Sequence, residues 1–173
     1  LVLDARGCPT DINQWVVDVS ADADFRAPSC TSGIMLCLTP LPARDRFLPF
    51  DWLTSKQRYA KLSPAEAELI GAVLGAKAGL GWQAVFEDCG TEEKPVYQRE
   101  DNSSAILAMQ RGFSLKMVYV SKIYGCSIAW MGERYAALEV IFVYEATRDM
   151  LGDPLTKLVQ PDVLYRRRVI CRV

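Results

Sequence analysis

The sequence predicts an α/β domain in which a mixed β-sheet carries helices on its faces. Segments with strand-like and helix-like patterns follow in the order three strands, helix, strand, helices, strand and terminal helix. This order is typical of a sheet with helices packed against it. The chain has 173 residues, of which 50% are hydrophobic and 24% are charged. A chain of this length buries about 70% of its unfolded surface, so we expect one domain whose core needs no disulfide or zinc ion.

The first three predicted strands precede the longest predicted helix. Residues 15–19 form a β-branched and aromatic run that leads into several acids, and residues 34–38 follow a turn-rich segment. Residues 50–53 follow a proline-rich loop. Short runs of this kind, bounded by Gly, Pro, Asp and Ser, are typical of strands. The short connection between the first two predicts an antiparallel hairpin.

The clearest helix start lies at residues 62–66. Ser63 is the expected N-cap, Pro64 occupies the first helical position, and Glu66 completes a capping box. The helical pattern predicts a helix that ends near Gly81.

This predicted helix carries small residues along one line. Gly71, Ala72, Gly75 and Gly79 follow Glu68 at helical spacing. Each glycine within a helix costs about 1 kcal/mol relative to alanine, so the line indicates close packing, for example against the sheet. A second line is expected to face the core with its apolar members: Ile70, Val73 and Leu74.

The second half of the chain repeats the pattern of acids at strand ends. Residues 95–99 form a short predicted strand that runs into Glu100, Asp101 and Asn102, and a helix is predicted over residues 105–109. A strand that ends in an acid and turns directly into a helix suits a ligand site at the carboxyl end of a sheet. A fifth strand is predicted over residues 140–144, and Asp153 is expected to begin the terminal helix.

Composition excludes several kinds of chemistry. The chain contains no histidine, which excludes Ser/His/Asp and Cys/His catalysis and the common zinc protease motif. The six cysteines form no C-x-x-C pair, and we expect them to be reduced thiols of an intracellular protein. We find no apolar run of about 20 residues and no signal peptide pattern, so no membrane partner is expected.

Four acids occupy distinctive places in the predicted elements. Asp22 ends the first strand, Glu68 lies near a helix start, Asp101 lies at a strand-to-helix turn, and Asp153 lies near the last element. Clustered carboxylates repel one another unless cations neutralise them. Two divalent ions held in this way could support phosphodiester hydrolysis, which is a nuclease chemistry that needs no histidine.

Six motifs, in the same order along the chain, resemble the ribonuclease H domain of copia-type LTR retrotransposon Pol polyproteins. They are ADADF at 21–25, CTSG at 30–33, WLTSKQ at 52–57, LSPAEAE at 62–68, EDNSSAI at 100–106 and GDPLTK at 152–157. The resemblance implies the ribonuclease H fold, a five-stranded mixed sheet whose first three strands are antiparallel, flanked by helices. It also implies that Asp22, Glu68, Asp101 and Asp153 are the catalytic acids and hold two Mg²⁺ or Mn²⁺ ions.

The implied activity is cleavage of the RNA strand of RNA:DNA hybrids during reverse transcription. The implied partners are the hybrid and an upstream reverse transcriptase domain, and the implied location is a cytoplasmic retrotransposon particle with a possible nuclear phase. We expect residues 1–13 to be a lead-in from the polyprotein, 14–158 the domain, and 159–173 a basic tail that contains Arg166–Arg167–Arg168. The expected nucleic-acid contacts are Ser32, Lys56, Gln57, Asn102 and Ser103.

Two other hypotheses remain open at this stage. Pro28 and Ser29, and Lys116 and Met117, depart from the family pattern, as in a degenerate copy that only binds nucleic acid or serves as a structural part of a polyprotein. Alternatively, the acids are only caps and turns of an unrelated α/β binding domain. Under that hypothesis Asp101 and Asp153 are helix caps.

Overall fold

A computed structural model describes residues 9–26, 29–41, 46–58, 61–158, 160–162, 164, 165 and 171. Its centre is a five-stranded sheet with the strand order β3-β2-β1-β4-β5. β1 is antiparallel to β2 and β2 to β3, whereas β4 is parallel to both β1 and β5. The predicted fold class is therefore confirmed. The strands are β1 (Trp15–Asp24), β2 (Thr31–Pro40), β3 (Leu48–Lys56), β4 (Val96–Glu100) and β5 (Val140–Tyr144).

Four α-helices lie between β3 and β5: α1 (Pro64–Asp88), α2 (Ser103–Arg111), α3 (Val120–Tyr124) and α4 (Ile128–Ala136). α1 begins as predicted, because the Ser63 hydroxyl accepts a hydrogen bond from the Glu66 amide at 3.3 Å. The Glu66 carboxylate accepts a hydrogen bond from the Leu62 amide at 2.5 Å. A capping box would use the amide of Ser63, one residue later. α1 continues past Gly81 to Asp88. The predicted end of the helix is therefore seven residues too early.

The small residues of α1 face the sheet, as predicted. A Cβ added to Gly79 would lie 2.7 Å from side-chain atoms of both Val19 and Val96. The absence of a side chain at this position thus lets the helix approach β1 and β4. The second line is only partly in the core, because Val73 is buried while Ile70 and Leu74 are half-buried.

α1 is also long and apolar enough to cross a membrane, judged by length and composition alone. We did not expect such a segment from the sequence. Its packing against the sheet accounts for the apolar composition, since Leu69, Ala72 and Ala76 are fully buried in the core.

The opposite face of the sheet carries a buried ion pair. The Arg99 guanidinium on β4 donates two hydrogen bonds to Asp18 on β1, at 2.7 and 2.9 Å, and a third to Glu145 at 2.5 Å. Beside it, Phe47 and Leu151 share a buried apolar cluster with Cys37 and Cys171. Chain from beyond β5 therefore covers this face.

The predicted terminal helix at Asp153 is wrong. The described chain forms a single 3₁₀ turn there, Asp153–Leu155, closed by hydrogen bonds from Leu155 to Gly152 and from Thr156 to Asp153. Close packing against β2 explains the tight turn, because a Cβ on Gly33 would lie 2.7 Å from the Gly152 carbonyl oxygen. The predicted basic run at residues 166–168 and Pro28 lie outside the described residues, as does most of the predicted lead-in.

Candidate active site and metal centre

Three predicted acids meet at one edge of the sheet. Asp22 lies at the end of β1, and Asp101 directly follows β4. Because β1 and β4 are parallel neighbours, their carboxyl ends lie at the same edge. Glu68 reaches this edge from the second turn of α1. One carboxylate oxygen from each of the three residues lies within 4.8 Å of the others.

Each carboxylate is oriented by a hydrogen bond from another part of the chain. The Ala23 amide donates to Oε2 of Glu68 at 3.1 Å. The Thr156 hydroxyl donates to Oδ2 of Asp22 at 2.6 Å, and the Thr147 hydroxyl donates to Oδ2 of Asp101 at 2.6 Å. The geometry is thus fixed by segments far apart in sequence.

The cluster is electrostatically unfavourable for three ionised carboxylates. Burial, followed by the charges of Asp22 and Asp101, raises the pKa of Glu68 to about 9. Burial also raises the pKa of Asp22, although the Thr156 hydrogen bond and the Lys157 charge oppose this shift. With a pKa of about 9, the Glu68 carboxyl is protonated at neutral pH unless a cation compensates its charge.

A fourth acid in this region was not predicted as a site residue. Glu100 is fully buried at the end of β4, where its Oε1 accepts a hydrogen bond from the Gln98 amide at 2.8 Å. Burial and then the charge of Glu68 raise its pKa well above the ordinary value. Its position directly before Asp101 was the available signal, but alternation along a strand sends these two side chains in different directions.

Asp153 does not join the group of three. It is buried, and its carboxylate forms an ion pair with Lys157, four residues further along the chain. Its charge nevertheless contributes to the raised pKa of Asp22. Lys157 and Thr156 were quoted in the sixth motif without a role, and the i,i+4 spacing of Asp153 and Lys157 was the signal for the pair.

The helix-cap explanation of the acids is wrong for Asp101. The N-cap of α2 is Asn102, whose side-chain oxygen accepts from the amides of Ser104 and Ala105, both at 3.1 Å. Asp153 is not a cap either, because the N-cap position of the 3₁₀ turn Asp153–Leu155 is occupied by Gly152. The carboxylate of Asp101 is therefore directed to the cluster rather than to a helix terminus.

The three carboxylates fit a divalent cation. They supply only oxygen ligands, which hard cations such as Mg²⁺ and Mn²⁺ prefer. Burial and the neighbouring carboxylates raise the pKa values of Asp22 and Glu68, and a bound cation would offset this effect. Asp22, Glu68 and Asp101 would hold such an ion.

A groove of about 570 Å³ lies beside this site. Ser32 is part of its lining, and a Cβ added to Gly71 would lie 3.5 Å from both the Ser32 hydroxyl and the Asp22 carbonyl oxygen. One residue of the lining is therefore close to the backbone of β1 at Asp22. Its wall includes four cationic side chains and one aromatic ring: Lys56, Arg58, Lys61, Lys77 and Tyr124.

Two of the predicted nucleic-acid contacts have buried side chains in this structure. Ser32 is 1% exposed and Gln57 is 7% exposed. The Gln57 amide donates to the Ser32 hydroxyl and to the Ala67 carbonyl, both at 2.8 Å. Because this amide links β2 to α1, both side chains have a structural role. Lys56 and Ser103 are exposed, and Asn102 is half-buried.

Of the comparisons with known proteins, only the comparison with solved structures gives matches. No protein-family model matches the chain, and no curated protein matches it. The ribonuclease H1 LC11, isolated from compost by a metagenomic approach, is 14% identical with a TM-score of 0.56, over 82% of this chain and 92% of that chain. The same enzyme in complex with an RNA/DNA hybrid is 14% identical with a TM-score of 0.53, over 81% and 93%.

A viral structure has the same fold. The ribonuclease H domain of prototype foamy virus is 12% identical with a TM-score of 0.50, over 83% of this chain and 92% of that chain. The chain therefore has the ribonuclease H fold.

Proposed function

We propose that this domain is a divalent-metal-dependent ribonuclease H that cleaves the RNA strand of RNA:DNA hybrids. The observation that carries the proposal is the group of Asp22, Glu68 and Asp101, whose ligand oxygens lie within 4.8 Å of one another. It lies at the carboxyl ends of β1 and β4 in a ribonuclease H fold. An RNA/DNA hybrid complex of LC11 ribonuclease H1 supports the choice of substrate.

The residues of the cluster have distinct roles in this proposal. Asp22, Glu68 and Asp101 would hold Mg²⁺ or Mn²⁺, and Asp153 would complete the set for a second ion after releasing Lys157. The bound cations would stabilise the charge that develops on the phosphodiester during hydrolysis. The hydroxyls of Thr156 and Thr147 hold Asp22 and Asp101 in place.

The groove beside the cluster would hold the hybrid. Lys56, Arg58 and Lys77 are exposed along it and would contact phosphates, while Asn102 and Ser103 lie beside Asp101 and would contact sugar hydroxyls. Lys61 is a poor candidate for a phosphate contact, because it is 8% exposed and lies 4.0 Å above the Tyr124 ring.

The six motifs extend the proposal to a biological setting. We propose that the domain belongs to a copia-type retrotransposon Pol polyprotein, follows a reverse transcriptase domain and acts in a cytoplasmic particle during reverse transcription. The support for this setting is the order of the six motifs along the chain.

The deciding experiment is cleavage of a hybrid whose RNA strand carries an end label. Purified protein is incubated with Mg²⁺, with Mn²⁺ or with EDTA, and the products are resolved on a denaturing gel. We expect metal-dependent loss of the RNA strand and no cleavage of a DNA duplex of the same sequence. Asp101→Asn should reduce the rate by about two orders of magnitude or more, because it removes one charge from the metal site.

Asp88→Asn is the matched control. It makes the same chemical change at the exposed far end of α1 and should leave the cleavage rate unchanged. Full cleavage by Asp101→Asn would refute the assignment of the site. Hybrid binding without cleavage by a folded wild-type protein would instead support the alternative, an inactive domain that only binds nucleic acid or has a structural role.

A further inference from the structure

Two cysteines from opposite ends of the chain lie together on the sheet face opposite α1. Cys37 lies on β2, and Cys171 lies near the C-terminus. Both are buried, with exposures of 1% and 6%, in one cluster with Phe47 and Leu151. Neither Cys37 nor Cys171 is in a disulfide in this structure. The thiol of Cys171 lies within hydrogen-bonding contact of the thiol of Cys37.

The side of β2 that carries Cys37 is well defined. Ile34 and Leu36 belong to the core cluster that packs against α1. Side chains alternate along a strand, so Cys37 faces the other side of the sheet. There it meets Phe47, Leu151 and Cys171, with Asp18 and Arg99 nearby. Residue 171 is thus held against the middle of the sheet by a contact between two sulfur atoms.

We propose that Cys37 and Cys171 form a reversible disulfide that fastens the C-terminal end of the chain to β2. The oxidant would be a peroxide. The Cys171 thiol loses its proton, and the thiolate attacks one oxygen of hydrogen peroxide. The O–O bond breaks, a sulfenic acid forms, and the other oxygen leaves as hydroxide, which takes up the thiol proton and becomes water. The Cys37 sulfur then attacks the sulfenic sulfur, its proton leaves with the hydroxyl as a second water, and the S–S bond forms.

The two thiols differ in a way that supports this order of attack. The hydrogen bond between them lowers the pKa of Cys171, whereas that bond and burial raise the pKa of Cys37. A thiolate is the nucleophile in both thiol oxidation and disulfide exchange. Cys171 is also the less buried of the two thiols, with an exposure of 6% against 1% for Cys37, so it is the thiol that a peroxide reaches first.

The disulfide would act on the segment that carries Asp153. Leu151 belongs to the cysteine cluster, and Gly152 packs against Gly33 of β2 directly after it. Thr156 from the same segment donates to Asp22. Oxidation would close a long loop from β2 to residue 171, which contains β3, β4, β5 and all four helices. It should therefore stabilise the fold against thermal unfolding by restricting the unfolded state.

The test compares hydrogen peroxide with dithiothreitol on the full chain. After treatment, remaining thiols are alkylated, and peptides are analysed by mass spectrometry without reduction. We expect a peptide cross-linked between Cys37 and Cys171 only in the oxidised sample. The Tm of the oxidised protein should rise by several degrees. Dithiothreitol should remove the cross-link and return the Tm to its starting value.

The variants distinguish this pair from other thiols. Cys37→Ser and Cys171→Ser should each abolish the cross-link and the Tm increase, whereas Cys89→Ser, at an exposed thiol, should retain both. If either variant fails to fold, the peptide map of the wild-type protein alone decides. Alkylation of both thiols after peroxide treatment, or a cross-link only to another cysteine, would overturn the proposal.

Discussion

The hydroxyl of Thr156 donates a 2.6 Å hydrogen bond to Oδ2 of Asp22, which joins the chain beyond β5 to the first strand. Thr156 can reach Asp22 because Gly33, the partner of Asp22 on β2, has no side chain. A Cβ at Gly33 would lie 2.7 Å from Cγ2 of Thr156. The orientation of an acid on β1 therefore depends on a residue more than a hundred positions away.

Replacing Thr156 tests this dependence. Thr156→Val removes the hydrogen bond and should weaken Mn²⁺ binding and hybrid cleavage by about 10-fold to 100-fold, as is usual for groups that orient metal ligands. Thr156→Ser keeps the hydroxyl and should retain most of both. Metal titrations of the cleavage rate and of Mn²⁺ binding provide the measurement. Equal losses in the two variants would assign Thr156 a packing role instead.

The raised pKa of Glu68 predicts how pH affects the metal-free protein. Folded Glu68 keeps its proton up to a pKa of about 9, whereas the ordinary value is 4.5. Between these values the folded state binds more protons than the unfolded state, so the free energy of unfolding falls as pH rises. Burial shifts the pKa values of Asp22 and Glu100 in the same direction.

Urea unfolding with EDTA between pH 5 and pH 9 measures this slope. Glu68→Gln resembles the protonated form and should flatten the slope, because it cannot lose a proton. Glu87→Gln, near the far end of α1, is the control and should leave the slope unchanged. An unchanged slope in Glu68→Gln would contradict the protonation of Glu68 in the metal-free protein.

Two glycines of α1 should respond to alanine in opposite ways. A Cβ at Gly79 would lie 2.7 Å from Val19 and Val96, whereas a Cβ at Gly81 meets nothing within 4 Å. Overpacking costs about 1–3 kcal/mol, and alanine gains up to about 1 kcal/mol of helix propensity. Gly79→Ala should therefore lower the free energy of unfolding by up to about 2 kcal/mol.

Gly81→Ala should raise that free energy by about 0.5–1 kcal/mol, because only the helix propensity changes. Urea unfolding of both variants under one set of conditions measures the difference. Stabilisation by Gly79→Ala would show that the helix can move away from the sheet.

Lys56 is one of the exposed cations of the groove, and its replacement tests whether the groove binds the hybrid. Lys56→Ala should weaken hybrid binding and reduce the dependence of log K on log[salt] by about one ion, since it removes one phosphate contact. The measurement is hybrid binding by fluorescence anisotropy at several salt concentrations, in buffer that contains Ca²⁺. Lys116→Ala removes the same charge outside the groove lining and is the control. Equal effects of the two variants would indicate a diffuse attraction.

Much of the fold and part of the site could be predicted from local sequence patterns. The strands follow β-branched runs, α1 begins at the Ser63 cap, and Asp22 and Asp101 end neighbouring parallel strands. Such features depend on the backbone and on neighbouring residues, so the sequence specifies them directly. The order of the six motifs similarly predicted the ribonuclease H fold.

Other features were decided only by tertiary structure. Asp153 lies outside the group of three acids, and Gln57 is buried against Ser32. The chain after β5 forms a tight turn because it packs against Gly33. Local spacing does not determine these outcomes, since burial, ion pairing and thiol contact depend on which distant segments occupy the same volume. The sequence by itself therefore determined the elements and the acid types, and packing decided which side chains face one another.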